Sequence, residues 1–70
     1  MKLAYFNQVA DRIGLETHAR EAVWLMEIDG MPSHYAARQM DMPQAKVSLA
    51  HARFMRALRQ TTVLPTDTGH

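Results

Sequence analysis

The chain has 70 residues, 47% of them hydrophobic and 21% charged, with a net charge of +1, four histidines and no cysteine. At that length there is room for one domain that buries only about 60% of its unfolded surface, with neither disulfides nor a cysteine-rich metal site to staple it. The longest apolar run, Ala22 to Met26, is far short of the roughly 20 residues that cross a bilayer, and no charged-then-apolar leader follows Met1; the expectation is a cytoplasmic protein held together by helix packing, with no membrane partner.

Leu3, Phe6, Ala10 and Ile13 recur at helical spacing with Gln8, Asp11 and Arg12 between them. This predicts an amphipathic helix that ends at Gly14. Thr17 is a suitable N-cap for a second helix running to about Ile28, where Asp29-Gly30 stops it. Within it, Ala22-Val23-Trp24-Leu25-Met26 resembles a short buried strand, but Thr17 to Glu27 is long for a strand and rich in helix formers. As a helix it is apolar over more than one stripe: Ala19, Val23 and Met26 on one face, Trp24 and Ile28 on the next. Two readings follow. Either this is the central helix of the domain, or Trp24 and Ile28 meet a second copy of the chain.

Pro32 suits the first turn of a third helix that ends near Met40. Asp41 then takes a turn position that calls for a left-handed backbone, which Asp tolerates better than most residues. Pro43 opens a fourth helix with φ preset but no side-chain cap. That helix carries Val47, Ala50, Phe54, Ala57 and Leu58 on an inner face and is expected to reach about Gln60. Thr61-Thr62-Val63-Leu64-Pro65 is β-prone and closed by proline, a candidate short strand, and the residues after it are polar and expected to fray. The predicted fold is all-α: four helices over residues 1–60 containing a helix-turn-helix, then a tail over 61–70 that is either a dimerising strand or disordered.

The charge is unevenly placed. Residues 1–29 hold three cations against five carboxylates, whereas residues 30–60 hold Arg38, Lys46, Arg53, Arg56 and Arg59 against Asp41 alone. Positive charge on the last two helices suits DNA; it also suits a solvated helix with cations toward its C-terminal end.

Ser33 to Ala52 carries the most specific pattern. Ala37 stands where the third and fourth helices cross, Met40 and Met42 bracket the turn, and Val47 and Ala50 lie at i and i+3 facing back. Together with Asp29-Gly30-Met31-Pro32 and Val47-Ser48-Leu49-Ala50, this register resembles the TrfB/KorA-type transcriptional repressors of plasmids, over about Phe6 to Leu58. The resemblance implies a DNA-binding protein whose fourth helix reads an operator. A weaker likeness, in the basic stretch Ala52 to Arg59, is to the promoter-binding helix-turn-helix of sigma factors. Members of the repressor family continue into a dimerising strand, which Thr62-Val63-Leu64-Pro65 resembles at its start; the resemblance implies that this segment is cut short here.

If the fourth helix enters a major groove, Pro43, Gln44, Ala45, Ser48, Leu49 and Ala52 point outward from its first half, with Arg53 one turn on. Gln44 can pair with adenine and Arg53 with guanine. Leu49 offers only an apolar contact, best with a thymine methyl. Lys46 and Ser48 suit phosphate or sugar, Arg38 is a candidate phosphate clamp, and Arg56 reaches backbone or stays in solvent. By the resemblance, Arg53 matches an arginine that reads bases, whereas Leu49 stands where the family has glutamine.

The four histidines show no metal-ligand spacing, and His34 and His51 are expected at the surface near DNA. No nucleophile–base pair or Gly-rich phosphate loop points to catalysis or to a cofactor. The leading expectation is therefore a repressor that binds double-stranded DNA as a homodimer and associates with the nucleoid. Its rival is a helix-turn-helix scaffold that binds a host protein, favoured by Pro43 and Leu49 on the reading face, by the low net charge and by the shortened dimerising segment. A sigma-like module acting within polymerase is a third reading.

Overall fold

A computed structural model of the chain describes the backbone of residues 2–67 and the side chains of residues 2–60. It is all-helical: α1 (Leu3–Arg12), α2 (Thr17–Glu27), α3 (Ser33–Met40) and α4 (Gln44–Asp67), with no strand among the described residues.

The first three helices stop by the same device. Gly14, Gly30 and Asp41 each have positive φ, at 68°, 71° and 55°. Each is followed by an apolar residue whose N–H returns to a carbonyl of the helix just ended, five residues back from Leu15 to Ala10 (3.1 Å) and from Met42 to Ala37 (2.9 Å), and six back from Met31 to Leu25 (3.0 Å). After α1 and α3 the second bond of the motif is also formed, from Gly14 to Asp11 and from Asp41 to Arg38. This closure satisfies helix-end carbonyls and directs the next apolar side chain inward. Leu15 is buried, and Met31 and Met42 pack on the core. Asp41 adopts the left-handed backbone expected of it.

Helix starts differ slightly from expectation. Glu16, not Thr17, occupies the N-cap of α2, and no side-chain cap bond forms there. The Arg20 N–H reaches the Glu16 carbonyl at 2.8 Å, so the ladder begins one residue earlier and places Thr17 inside it. Pro32 and Pro43 stand just before α3 and α4 rather than within them. Their carbonyls accept the first bonds of each helix, from Tyr35 and Ala36 and from Lys46 and Val47. A residue without an N–H loses nothing at that position.

Two apolar clusters meet along α4. Phe6, Val9 and Ala10 of α1, Leu15 from the connection after it, Ala19 and Val23 of α2, and Ala50, Phe54 and Ala57 of α4 form the first. Ala22, Ala36, Ala37 and Val47 form the second, lined by Leu25, Met26, Met31, Met40 and Met42. α2 feeds both clusters and is the central helix. In the first cluster the Phe6 ring lies 4.9 Å from that of Phe54 and meets Trp24 edge-on at 5.4 Å. Truncating fully buried Phe54 to alanine costs about 3–5 kcal/mol, a large share of the stability of any small domain. In the second, alanines at 22, 36 and 37 let α2 and α3 approach closely.

Three expectations are corrected. Leu3 is 55% exposed, and Val9 takes its place in the core of α1. α4 does not end near Gln60, and residues 61–65 are not a strand: the backbone is helical to Asp67. β-propensity over a few residues is a weak prior, whereas extending a formed helix needs no new nucleus. The dimer-forming strand assigned to Thr62, Val63 and Leu64 is thereby replaced by helix. Their side-chain contacts, and the conformation of residues 68–70, lie outside the described residues.

Candidate nucleic-acid interface

The αL turn at Asp41 sets α4 across α3, with Ala37 and Val47 buried at the junction. Because Val47, Ala50, Phe54 and Ala57 face inward, the opposite side of α4 is left to solvent. Ala45, Leu49, Ala52, Arg56 and Arg59 are all exposed along it, spaced alternately four and three residues apart as one helical stripe requires. Gln44, Lys46, Ser48 and Arg53, also exposed, flank the first half of the stripe. The centre of that half therefore has small side chains at 45 and 52 and one large apolar one, Leu49, 63% exposed. Arg38, Lys46, Arg53, Arg56 and Arg59, the five cations of residues 30–60, are exposed without exception.

Several of these side chains have partners the sequence did not foretell. Gln44 donates from Nε2 to the Ser33 hydroxyl at 3.1 Å, joining the first residues of α4 and α3. Arg53 donates from Nη2 to the Ile13 carbonyl at 3.0 Å. Arg53 and Arg56 border a cleft of about 270 Å³ beside Ile13, Ala57 and Gln60. Arg38 lies with its guanidinium carbon 6.0 Å from the centre of the Tyr35 ring.

Tyr35 is a surface feature that sequence reasoning passed over. It is 54% exposed and stacks at 4.8 Å on His34. Its spacing to Arg38, three residues along one helix, was the available signal. His34 and Tyr35 thus form an exposed aromatic pair on the first turn of α3, beside Arg38.

His51 does not lie free at the surface. It is half-buried, and its Nε2 sits 2.6 Å from the Glu27 carboxylate, linking α4 to α2. Glu16, from the α1–α2 connection, shares shallow clefts of about 420 and 170 Å³ with Lys46. An acidic group thus borders the basic face, although the two are 30 residues apart in a chain whose acidic and basic halves looked separate. Among the described residues, no three His, Asp or Glu side chains come together as a metal site, and no described helix is long and apolar enough to cross a membrane.

Trp24 packs against the first core cluster while lining an open groove of about 360 Å³ with Leu3, Phe6, Asn7, Thr17 and Arg20. Ile28, at the end of α2, is half-buried. A more exposed ion pair, Arg20 to Asp11 at 2.6 Å, crosses between α1 and α2 at the edge of this groove; such pairs contribute little to stability. Comparison of the chain with protein-family models, with curated proteins and with solved structures found no match.

Proposed function

We propose that this protein is a sequence-selective DNA-binding repressor that lays the exposed first half of α4 in the major groove and blocks transcription by occupying promoter DNA. The carrying observation is the outward face of α4. Small side chains at Ala45 and Ala52 permit close approach to base edges, and exposed cations surround them. Arg38, Lys46, Arg56 and Arg59 supply phosphate contacts and hence affinity; Gln44, Leu49 and Arg53 supply base contacts and hence selectivity. One copy of so small a unit makes few base contacts, so the reading includes a homodimer on a palindromic site. Trp24 and Ile28 are the candidate dimer contacts.

The test is fluorescence anisotropy with labelled DNA from upstream of the gene, beside a scrambled duplex, between about 50 and 200 mM salt. The expected result is tighter binding to the native fragment, with affinity falling steeply as salt rises. Four phosphate contacts per monomer, eight for the dimer, give a log–log slope of about −7. Equal, weak binding to both duplexes, followed by an empty genome-wide DNA selection, would sink the proposal.

A second reading has its own support. Among the described residues of α4, Leu49 is the most exposed large apolar side chain, and both Gln44 and Arg53 are already bonded within the chain. A face with an apolar centre and internally engaged polar groups suits a protein partner. Under this reading Leu49→Asp abolishes capture of that partner, and Arg53→Ala leaves weak DNA binding unselective as before.

A further inference from the structure

We infer that Ser33 is a positioning residue that fixes the Gln44 amide for adenine. The inference rests on the DNA-binding reading above and assigns a specificity to one position of that interface.

The two residues are 11 apart in sequence and open different helices. The Asp41 turn brings them together, so that Gln44 Nε2 donates to Ser33 Oγ at 3.1 Å. Ser33 is half-buried and Gln44 exposed. The acceptor is thus held against the fold while the amide faces outward.

A glutamine amide has two N–H donors on Nε2 and one acceptor oxygen. With one N–H spent on Ser33, one N–H and the oxygen remain side by side. Adenine presents the complement in the major groove, an N7 acceptor next to an N6 donor. Guanine presents N7 and O6, both acceptors, which would set the amide oxygen against O6. A free glutamine rotates and can turn either group outward. Anchored through Nε2, as the structure has it, the amide holds its oxygen and remaining N–H outward before DNA arrives, with less side-chain freedom left to lose on binding. Ser33 therefore raises adenine-over-guanine discrimination without touching the base.

The test is selection of bound sites from a randomised duplex library, followed by affinity measurements on the selected duplex. Wild type, Ser33→Ala, Ser33→Thr and Gln44→Ala are compared, with helical circular dichroism and urea midpoints confirming that each is folded. The expected result is one adenine per half-site that Gln44→Ala no longer prefers. Replacing it by guanine, or by a deaza-adenine that lacks N7, weakens wild-type binding. In Ser33→Ala the discrimination between adenine and guanine falls roughly threefold to tenfold, while affinity for non-selected duplex is unchanged. Ser33→Thr, which keeps the hydroxyl, restores it.

Full discrimination in Ser33→Ala would overturn the inference and leave DNA reading intact. So would a Gln44-dependent position that selects guanine. A library that yields no base preference with wild type would overturn the DNA-binding reading itself, and this inference with it.

Discussion

Arg53 donates a hydrogen bond to the carbonyl of Ile13 at 3.0 Å and thereby ties α4 to the end of α1. Ile13 is the C-cap of α1, where carbonyls lack helical partners and the helix dipole favours a cation. The side chain with the strongest claim to reading a base is therefore also a structural clamp. Loss of DNA binding in Arg53→Ala would be ambiguous by itself, because the clamp goes with it. That variant should lose about 1 kcal/mol of stability in urea unfolding without DNA. Arg53→Lys narrows the question: a lysine can still cap Ile13 and reach guanine, but it lacks the planar fork that fixes two parallel bonds. Its stability is expected within about 0.5 kcal/mol of wild type, with operator selectivity reduced but less than in Arg53→Ala. Selectivity retained in both Arg53→Lys and a folded Arg53→Ala would remove Arg53 from the base-reading set.

The His51–Glu27 contact sets how α4 lies on α2. A double-mutant cycle with His51→Ala and Glu27→Ala should give a coupling of about 1 kcal/mol in urea unfolding, since a half-shielded charged acceptor bonds more strongly than an exposed one. Additive effects of the two substitutions would mean that the pair contributes nothing to holding the helices.

At Asp41 the backbone is left-handed at φ 55°, a conformation in which a Cβ is penalised. Asp41→Gly is expected to raise stability by about 0.5–1 kcal/mol, the relief of that strain less the extra freedom of glycine in the unfolded chain. Asp41→Val should lower it, because a β-branched residue fits this region worst. Urea midpoints of the two variants, moving in opposite directions, are the check.

Glu16 borders the same clefts as Lys46 and opposes the approach of phosphate to that side of α4. Under the proposed function, Glu16→Gln should tighten binding to any duplex roughly twofold to threefold at low salt, the gain fading as salt rises. Anisotropy titrations at two salt concentrations distinguish this from a change in base selectivity, which should stay as in wild type.

What the sequence by itself determined lies within a few residues of each position. Helix ends at Gly14, Gly30 and Asp41, and the inner face of α4 from Val47 to Ala57, follow from backbone preference and from a period set along one element. Where the local signal was short, it failed: the β-prone residues 61–65 continue a helix already nucleated upstream. Leu3 and Val9 lie on different faces of one helix, and only the way α1 packs into the first core cluster decides that Val9 is covered and Leu3 is not. Tertiary structure alone decided that Arg53 meets Ile13, His51 meets Glu27 and Gln44 meets Ser33. The reason is physical. A hydrogen bond needs its partners within a few tenths of an ångström, and the placement of residues 40, 24 or 11 apart in the chain depends on how every helix between them packs.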